Sequence, residues 1–421
     1  MDPSSSIAWL ALAVIACKWL AQVILERLNL RYVQSHAREI PEQFKDFIDA
    51  QTYSKTIDYT LAKGRFEQWE MSWSVLVLLL VLASGLLPLS YRAFTQHFGN
   101  SVWSMSAYVF VAGFALSLPG LPFNWYSQFH LEQRFGFNTT TPKLWWVDRL
   151  KGLIIGLVIG YPLLVLILKF VDWTRGDWWL WAWGSLLVFQ FLMLIVGPIL
   201  IMPLFNKFTP LPEGSLRERL LALGAKTGFH AKTIQIMDGS KRSRHSNAFF
   251  TGFGRFRKIV LFDTLVQQLS ESELEAVLAH EIGHYKKRHI PKMLVASAVG
   301  SLIGFYVLAW LAKQNWFYEA FGFAPGNITP ALLLFGLLSG AFTFWISPLA
   351  HLWSRRYEYQ ADRYAAEVMG EIGSLTGALR KLNEKNLSNL TPHPIYSGFY
   401  YSHPSLLERE RALNKISTAA V

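Results

Sequence analysis

Residues 178–206 read WWLWAWGSLLVFQFLMLIVGPILIMPLFN, a stretch without a single charged side chain. A helix needs about 20 predominantly apolar residues to cross the hydrocarbon of a bilayer, so this segment alone points to a membrane span. Six further runs share its character: Ile7 to Ile24, Met71 to Tyr91, Val102 to Trp125, Gly152 to Leu168, Met293 to Ala312 between Lys292 and Lys313, and Ala331 to Trp353. One such run fits a buried helix of a large soluble protein, but seven in one chain do not. The sequence predicts a mainly α, polytopic membrane protein with seven transmembrane helices.

Composition points the same way. Hydrophobic residues make up 52% of the 421 and charged residues 16%, against about 25% charged in ordinary globular proteins. A secreted disulfide framework, a disordered chain and a coiled coil are excluded. Cys17 is the only cysteine, so no intrachain disulfide forms and any metal must be held by His, Glu or Asp. Val14-Ile15-Ala16-Cys17 resembles a lipoprotein cleavage box, but Met1 to Ser6 carries Asp2 and no positive charge, which argues for a retained helix.

The net charge of +11 is one-sided. Segments 26–70, 126–151, 207–292 and 355–421 hold 35 Lys and Arg, whereas 1–6, 91–101, 169–177 and 313–325 hold 4. The positive-inside rule then places the amino terminus outside and the carboxyl terminus in the cytoplasm, of a bacterial inner membrane or an ER-type membrane depending on source. Topology and anionic headgroups account for the basic balance, and no nucleic-acid partner is needed.

The expected organisation is spans at 1–25, 71–91, 102–125, 152–171, 178–204, 291–312 and 328–353. Cytoplasmic segments at 26–70 and 126–151, a small α+β region at 205–290 and a carboxyl-terminal region at 354–421 separate or follow them. In the α+β region, Thr233 to Met237, Asn247 to Thr251 and Lys258 to Phe262 read as short strands bounded by Gly239, Gly252 and Gly254. A helix follows. Ser270 and Glu273 have capping-box spacing, Leu274, Val277, Leu278 and Ile282 recur at helical period, and Pro291 sets an end near His289.

That helix carries His280-Glu281-Ile282-Gly283-His284. Histidines four apart stand on one helical face, close enough for both imidazoles to bind one zinc, while the intervening Glu reaches a metal-bound water. Chance gives the pattern in roughly two chains per hundred. The bland alternative is two helical histidines that cap carbonyls or meet headgroups. A third ligand has to come from elsewhere. The helix pair leaving at Lys292 and returning near Trp353 brings Glu358 and Asp362 back to the same depth. Four apart on one face, they allow one carboxylate to ligate and the other to accept the outer N–H of a ligating His; a solvated acidic face beside Arg355 and Arg356 is the alternative.

HEIGH, then SRRYEYQADRYA (Ser354 to Ala365), then YSHPSLLERERAL (Tyr401 to Leu413) together resemble the type I CaaX prenyl endopeptidases, seven-helix membrane zinc metalloproteases. The similarity extends to SNAFFTG (Ser246 to Gly252), LPFNWYSQFHLEQRFGFNTTTPKLWW (Leu121 to Trp146), IMPLFNKFTPLPEG (Ile201 to Gly214) and IDYTLAKGRF (Ile57 to Phe66). The shorter HtpX-type proteases have fewer spans.

The resemblance implies a helical barrel enclosing a chamber and one zinc ion per chain on His280, His284 and Glu358. It also implies Glu281 as catalytic base and Asp362 as the carboxylate behind a ligating histidine. Asn247, Ala248 and Phe249 match an edge strand that pairs with substrate backbone, and His403 and Arg409 match a motif bordering the active site, with His403 the candidate donor to the oxyanion. For His403 the alternative is a loop histidine held by Pro404, and for Arg409 an ion pair with Glu408 or Glu410. The implied partner is a peptide or protein substrate, membrane-tethered or prenylated, that loses its last three residues. Quality-control proteolysis of unprenylated membrane proteins and a non-catalytic metal-binding scaffold or transporter are the competing readings.

Overall fold

The computed structural model describes residues 3–419 apart from 175, 230–232 and 252–257. Among them, seven helices are long and apolar enough to cross a membrane: Ser6–Ser35, Ala50–Ala83, Val102–Phe135, Pro142–Thr174, Trp178–Phe205, His289–Leu311 and Ile328–Met369. Their flanks are apolar and solvent-facing, with Leu10 64%, Val188 69% and Leu349 66% exposed. Lipid tails make such a surface costless where water would not.

Several helices run far past the hydrocarbon. The first continues to Ser35, and the second starts at Ala50, where the Asp49 side chain accepts from the Thr52 N–H at 2.9 Å. Most of 26–70 is therefore helical, because Val33, Phe44, Ile48, Tyr53 and Ile57 are buried in one cluster with the sheet-bearing region. At the other end, the run to Tyr91 is broken: Gly85 takes φ 72° and turns the chain into a separate helix, Leu86–Phe98. The last helix, Ile328–Met369, has 42 residues, or ~63 Å at 1.5 Å each, about twice the hydrocarbon thickness. Its final turns carry Glu358 and Asp362 out of the bilayer.

The small sheet has four strands: β1 (Phe208–Pro210), β2 (Thr233–Met237), β3 (Ala248–Thr251) and β4 (Lys258–Phe262), in the order β1-β2-β4-β3. β2 and β4 run parallel with Thr233 opposite Lys258, and β3 lies antiparallel to β4 with Ala248 opposite Leu261. β3 is thus an edge. The short β1, with a proline at its end, carries no alternating pattern that sequence reading detects. Gly252 and Gly254 lie outside the described residues.

The helix Glu271–Lys286 opens with a reciprocal capping box between Ser270 and Glu273. It buries Leu274, Leu278 and Ile282 to 2% exposure or less against Leu265, Leu375 and Leu413. Each such side chain contributes about 1.5–3 kcal/mol. The helix stops at Lys286, short of His289. Arg288 adopts φ 55°, and Pro291 falls in the first turn of the next helix, where its missing N–H has no intrahelical partner to lose.

Candidate metal centre

Gly283 decides how closely the HEIGH helix approaches the last membrane helix. A Cβ at that position would meet the Ala361 Cα at 3.0 Å, the Ala361 carbonyl oxygen at 3.1 Å and the Tyr364 Cβ at 3.2 Å. Without it the two backbones touch, and the residues one turn either side face each other. His280 and His284 on one helix meet Glu358 and Asp362 on the other.

The donor atoms converge. His280 Nε2 lies 3.5 Å from Glu358 Oε2, His284 Nε2 lies 3.3 Å from Glu358 Oε1, and the two Nε2 atoms are 3.2 Å apart. Tetrahedral ligation at about 2.0–2.1 Å requires donors roughly 3.4 Å apart, so the three side chains already stand at ligand spacing. Their protonation follows from the partners behind them. His280 Nδ1–H donates to Asp362 Oδ1 at 2.8 Å. His289 Nε2–H donates to Gln360 Oε1 at 2.9 Å, which leaves His289 Nδ1 bare to accept from His284 Nδ1–H at 3.0 Å. Both facing Nε2 atoms then carry lone pairs, and two lone pairs at 3.2 Å need a cation between them.

Glu358 supports the same conclusion. It is 3% exposed, and its Oε2 has no hydrogen-bond partner among the described residues, an expensive arrangement for a buried carboxylate without a positive ion. Burial acts to depress the His280 pKa, yet the hydrogen bonds to Asp362 and Glu358 outweigh it and raise it to about 9. The site is built to hold positive charge, and the His-His-Glu set fits a divalent metal ion.

Around these atoms lies a cavity of about 260 Å³ lined by Glu281, Asn247, Ala248, His403 and Arg409 among others. Glu281 makes no hydrogen bond to any described residue, and burial raises its pKa above the ordinary carboxylate range. His403 is exposed on the cavity rim with Nε2 3.4 Å from Glu358 Oε1. Arg409 is committed elsewhere: its Nε donates to Asp362 Oδ2 at 2.8 Å and an Nη donates to Oδ1, while Glu408 caps Ser405 and Glu410 pairs with Arg380. The edge strand enters through Asn247 and Ala248. Phe249 points away, its ring against Phe262 and absent from the cavity wall.

A membrane-embedded chain that presents a His-Glu-His helix and a returning carboxylate has recognisable relatives. The amino-terminal five-helix model of CaaX prenyl proteases matches residues 29–207, and the model of peptidase family M48 matches 210–417. The chain belongs to the CaaX prenyl protease branch of peptidase family M48. It is 35% identical over 413 residues to CAAX prenyl protease 1 of Saccharomyces cerevisiae, covering 92% of this chain and 91% of the relative. It is 29% identical to the Homo sapiens homologue, covering 91% and 90%. The crystal structure of S. mikatae Ste24p superposes with a TM-score of 0.91 at 33% identity, covering 98% of this chain and 99% of that one. The chain is therefore a multi-pass membrane metalloendopeptidase.

For this M48 chain the structure also supplies residues that sequence reading passed over. His289 is 1% exposed and stacks on Tyr357 at 4.0 Å and 10°, so its tautomer and ring plane are fixed from two sides. Its place five residues after His284 was the one available signal. Asn386 was likewise not singled out. Its Oδ1 accepts from the Ser246 N–H at 3.2 Å and anchors the approach to β3.

Proposed function

We propose that the chain is a zinc endopeptidase that removes the carboxyl-terminal tripeptide from prenylated CaaX proteins at the cytoplasmic face of its membrane. The observation that carries this reading is the convergence of His280, His284 and Glu358 at ligand spacing beside an unengaged Glu281. The substrate class comes from relatives whose name is CAAX prenyl protease 1 and whose whole length this chain matches. The sidedness comes from the Lys and Arg asymmetry.

His280, His284 and Glu358 hold the zinc. When bound, it supplies Lewis acidity to the scissile carbonyl and to the attacking water. Glu281 takes the proton from that water and returns it to the leaving amine, a task suited to a carboxylate whose pKa burial has raised. Asp362 fixes the His280 ring, and Arg409 fixes Asp362 through two parallel hydrogen bonds. His289 and Gln360 do the same for His284. The Ala248 edge offers its free backbone side to an extended substrate, and His403 donates to the developing oxyanion. Confining a lipid-anchored tail to the bilayer surface raises its concentration at this cavity.

The test is cleavage of a farnesylated CaaX peptide and its unprenylated twin by detergent-solubilised protein, with chelator and then zinc. Chelator-sensitive, zinc-restored cleavage that favours the farnesylated peptide supports the reading. Equal turnover of both peptides overturns the substrate class, and chelator-insensitive cleavage overturns the metal.

A further inference from the structure

Between the second and third membrane helices lies a cavity of about 550 Å³ that the peptidase chemistry does not use. Arg65 and Arg134 reach into it, with His130, and no acidic side chain lines it. Among the described residues neither guanidinium has an ion-pair partner. Two unpaired guanidiniums in one concavity repel each other and leave most of their donors to water, an arrangement that an anion relieves.

Position narrows the anion. The residues of the second helix divide cleanly by face. Thr60, Lys63, Gly64 and Glu67 line a polar cavity that also takes in Glu26 and shares Asn386 with the catalytic cavity. Ala62, Arg65, Phe66 and Trp69 line the 550 Å³ cavity, and their mean direction is roughly 160° away around a helix of 3.6 residues per turn. The Arg65 cavity thus opens on the side turned from catalysis. Arg65 also stands six residues before Met71, where the apolar run begins. That is ~9 Å of helix, the depth of lipid headgroups on the sheet-bearing side.

A ladder of rings marks the same boundary. Phe66 stacks on Tyr126 at 5.4 Å and 17°, and Tyr126 stacks on His130 at 5.0 Å and 23°. Towards the hydrocarbon, Trp73 stacks on Phe123 at 6.2 Å. Trp69 is 75% exposed at the cavity mouth, as a ring placed among glycerol and carbonyl groups can be.

We infer that this cavity binds the phosphate of an anionic phospholipid headgroup, held by Arg65 and Arg134, with the acyl root running up the aromatic ladder towards Trp73. Basic pockets between membrane helices on the positively charged side are suited to such headgroups. The site anchors the second helix at a fixed depth, and its position does not depend on what the peptidase cleaves.

Titration of full-length protein in detergent with short-chain phosphatidylserine, short-chain phosphatidylcholine and inorganic phosphate tests it, read as ligand-bound species by native mass spectrometry. Phosphatidylserine is expected to bind more tightly than phosphatidylcholine, and to weaken as salt is raised. The R65Q/R134Q double variant is expected to bind it roughly 30-fold more weakly, about fivefold per guanidinium removed, with cleavage of a soluble peptide retained as the check on folding. Unchanged affinity in the double variant, equal binding of phosphatidylcholine, or inorganic phosphate binding as tightly as the lipid each overturns the proposal. Should the double variant not be recovered folded, the single variant R65Q takes the same titration, and a loss below twofold counts against the site.

Discussion

Gly283 and Ala361 are in backbone contact: a Cβ on Gly283 would sit 3.0 Å from the Ala361 Cα. This one approach sets the spacing of all three proposed ligands, since two sit on each side of it in the helices it joins. Replacing Gly283 by Ala forces the helices apart by a few tenths of an ångström, at a cost of about 1–3 kcal/mol for overpacking. We expect G283A to lower thermal stability and weaken zinc binding together, measured by unfolding midpoint and by competition with a chelator. Wild-type zinc affinity in a destabilised G283A would show that the contact serves packing alone.

His289 provides a test of the hydrogen bonds behind the ligands. Removing a group that orients a ligating histidine costs typically 10–100-fold in metal affinity. H289A should show that loss, and H289Q should recover part of it, because a carboxamide oxygen can accept from His284 Nδ1–H. Cobalt-substituted protein gives a second readout, with the visible spectrum of H289A shifted. An H289A protein with unaltered affinity and spectrum would remove His289 from the site.

Glu281 should separate binding from turnover. E281Q keeps the shape of the cavity and loses the base, so zinc content stays at the wild-type level while kcat falls by roughly 10²–10⁴. Full turnover in E281Q would end the role given to Glu281.

The same carboxyl sets a pH dependence. Burial raises its pKa from the ordinary 4.5, and the base works only when ionised. As pH falls through the raised pKa the group takes a proton and kcat/KM drops, so the acid limb of the profile should lie above pH 4.5. A profile flat down to that pH would place the essential base elsewhere.

How much of this was readable beforehand depends on the distance over which each signal acts. Membrane spans and the capped HEIGH helix are written in contiguous residues, so the seven spans, the Ser270–Glu273 box and the strands Thr233–Met237 and Lys258–Phe262 were legible. Helix lengths were not. Apolar content marks where a helix meets lipid, whereas the extensions to Ser35 and Met369 and the start at Ala50 are fixed by packing against the sheet-bearing region. The turn at Gly85 hides inside an apolar run for the same reason.

Within the site, spacing of four residues exposed His280 with His284 and Glu358 with Asp362, because each pair shares one helical face. Arg409 shows the limit. Its motif placed it beside the active site, and only the fold reveals that its guanidinium is bound to Asp362. His289 gave no periodic signal, since it lies beyond the helix end, across the left-handed turn at Arg288.

The most direct measurement is the zinc content of purified Glu358→Ala against wild type, by elemental analysis of the folded, detergent-solubilised chains. Convergence of two imidazoles and this carboxylate on one ion predicts one zinc per wild-type chain and a near-complete loss in the variant. A folded E358A protein that retained a full zinc complement would contradict it.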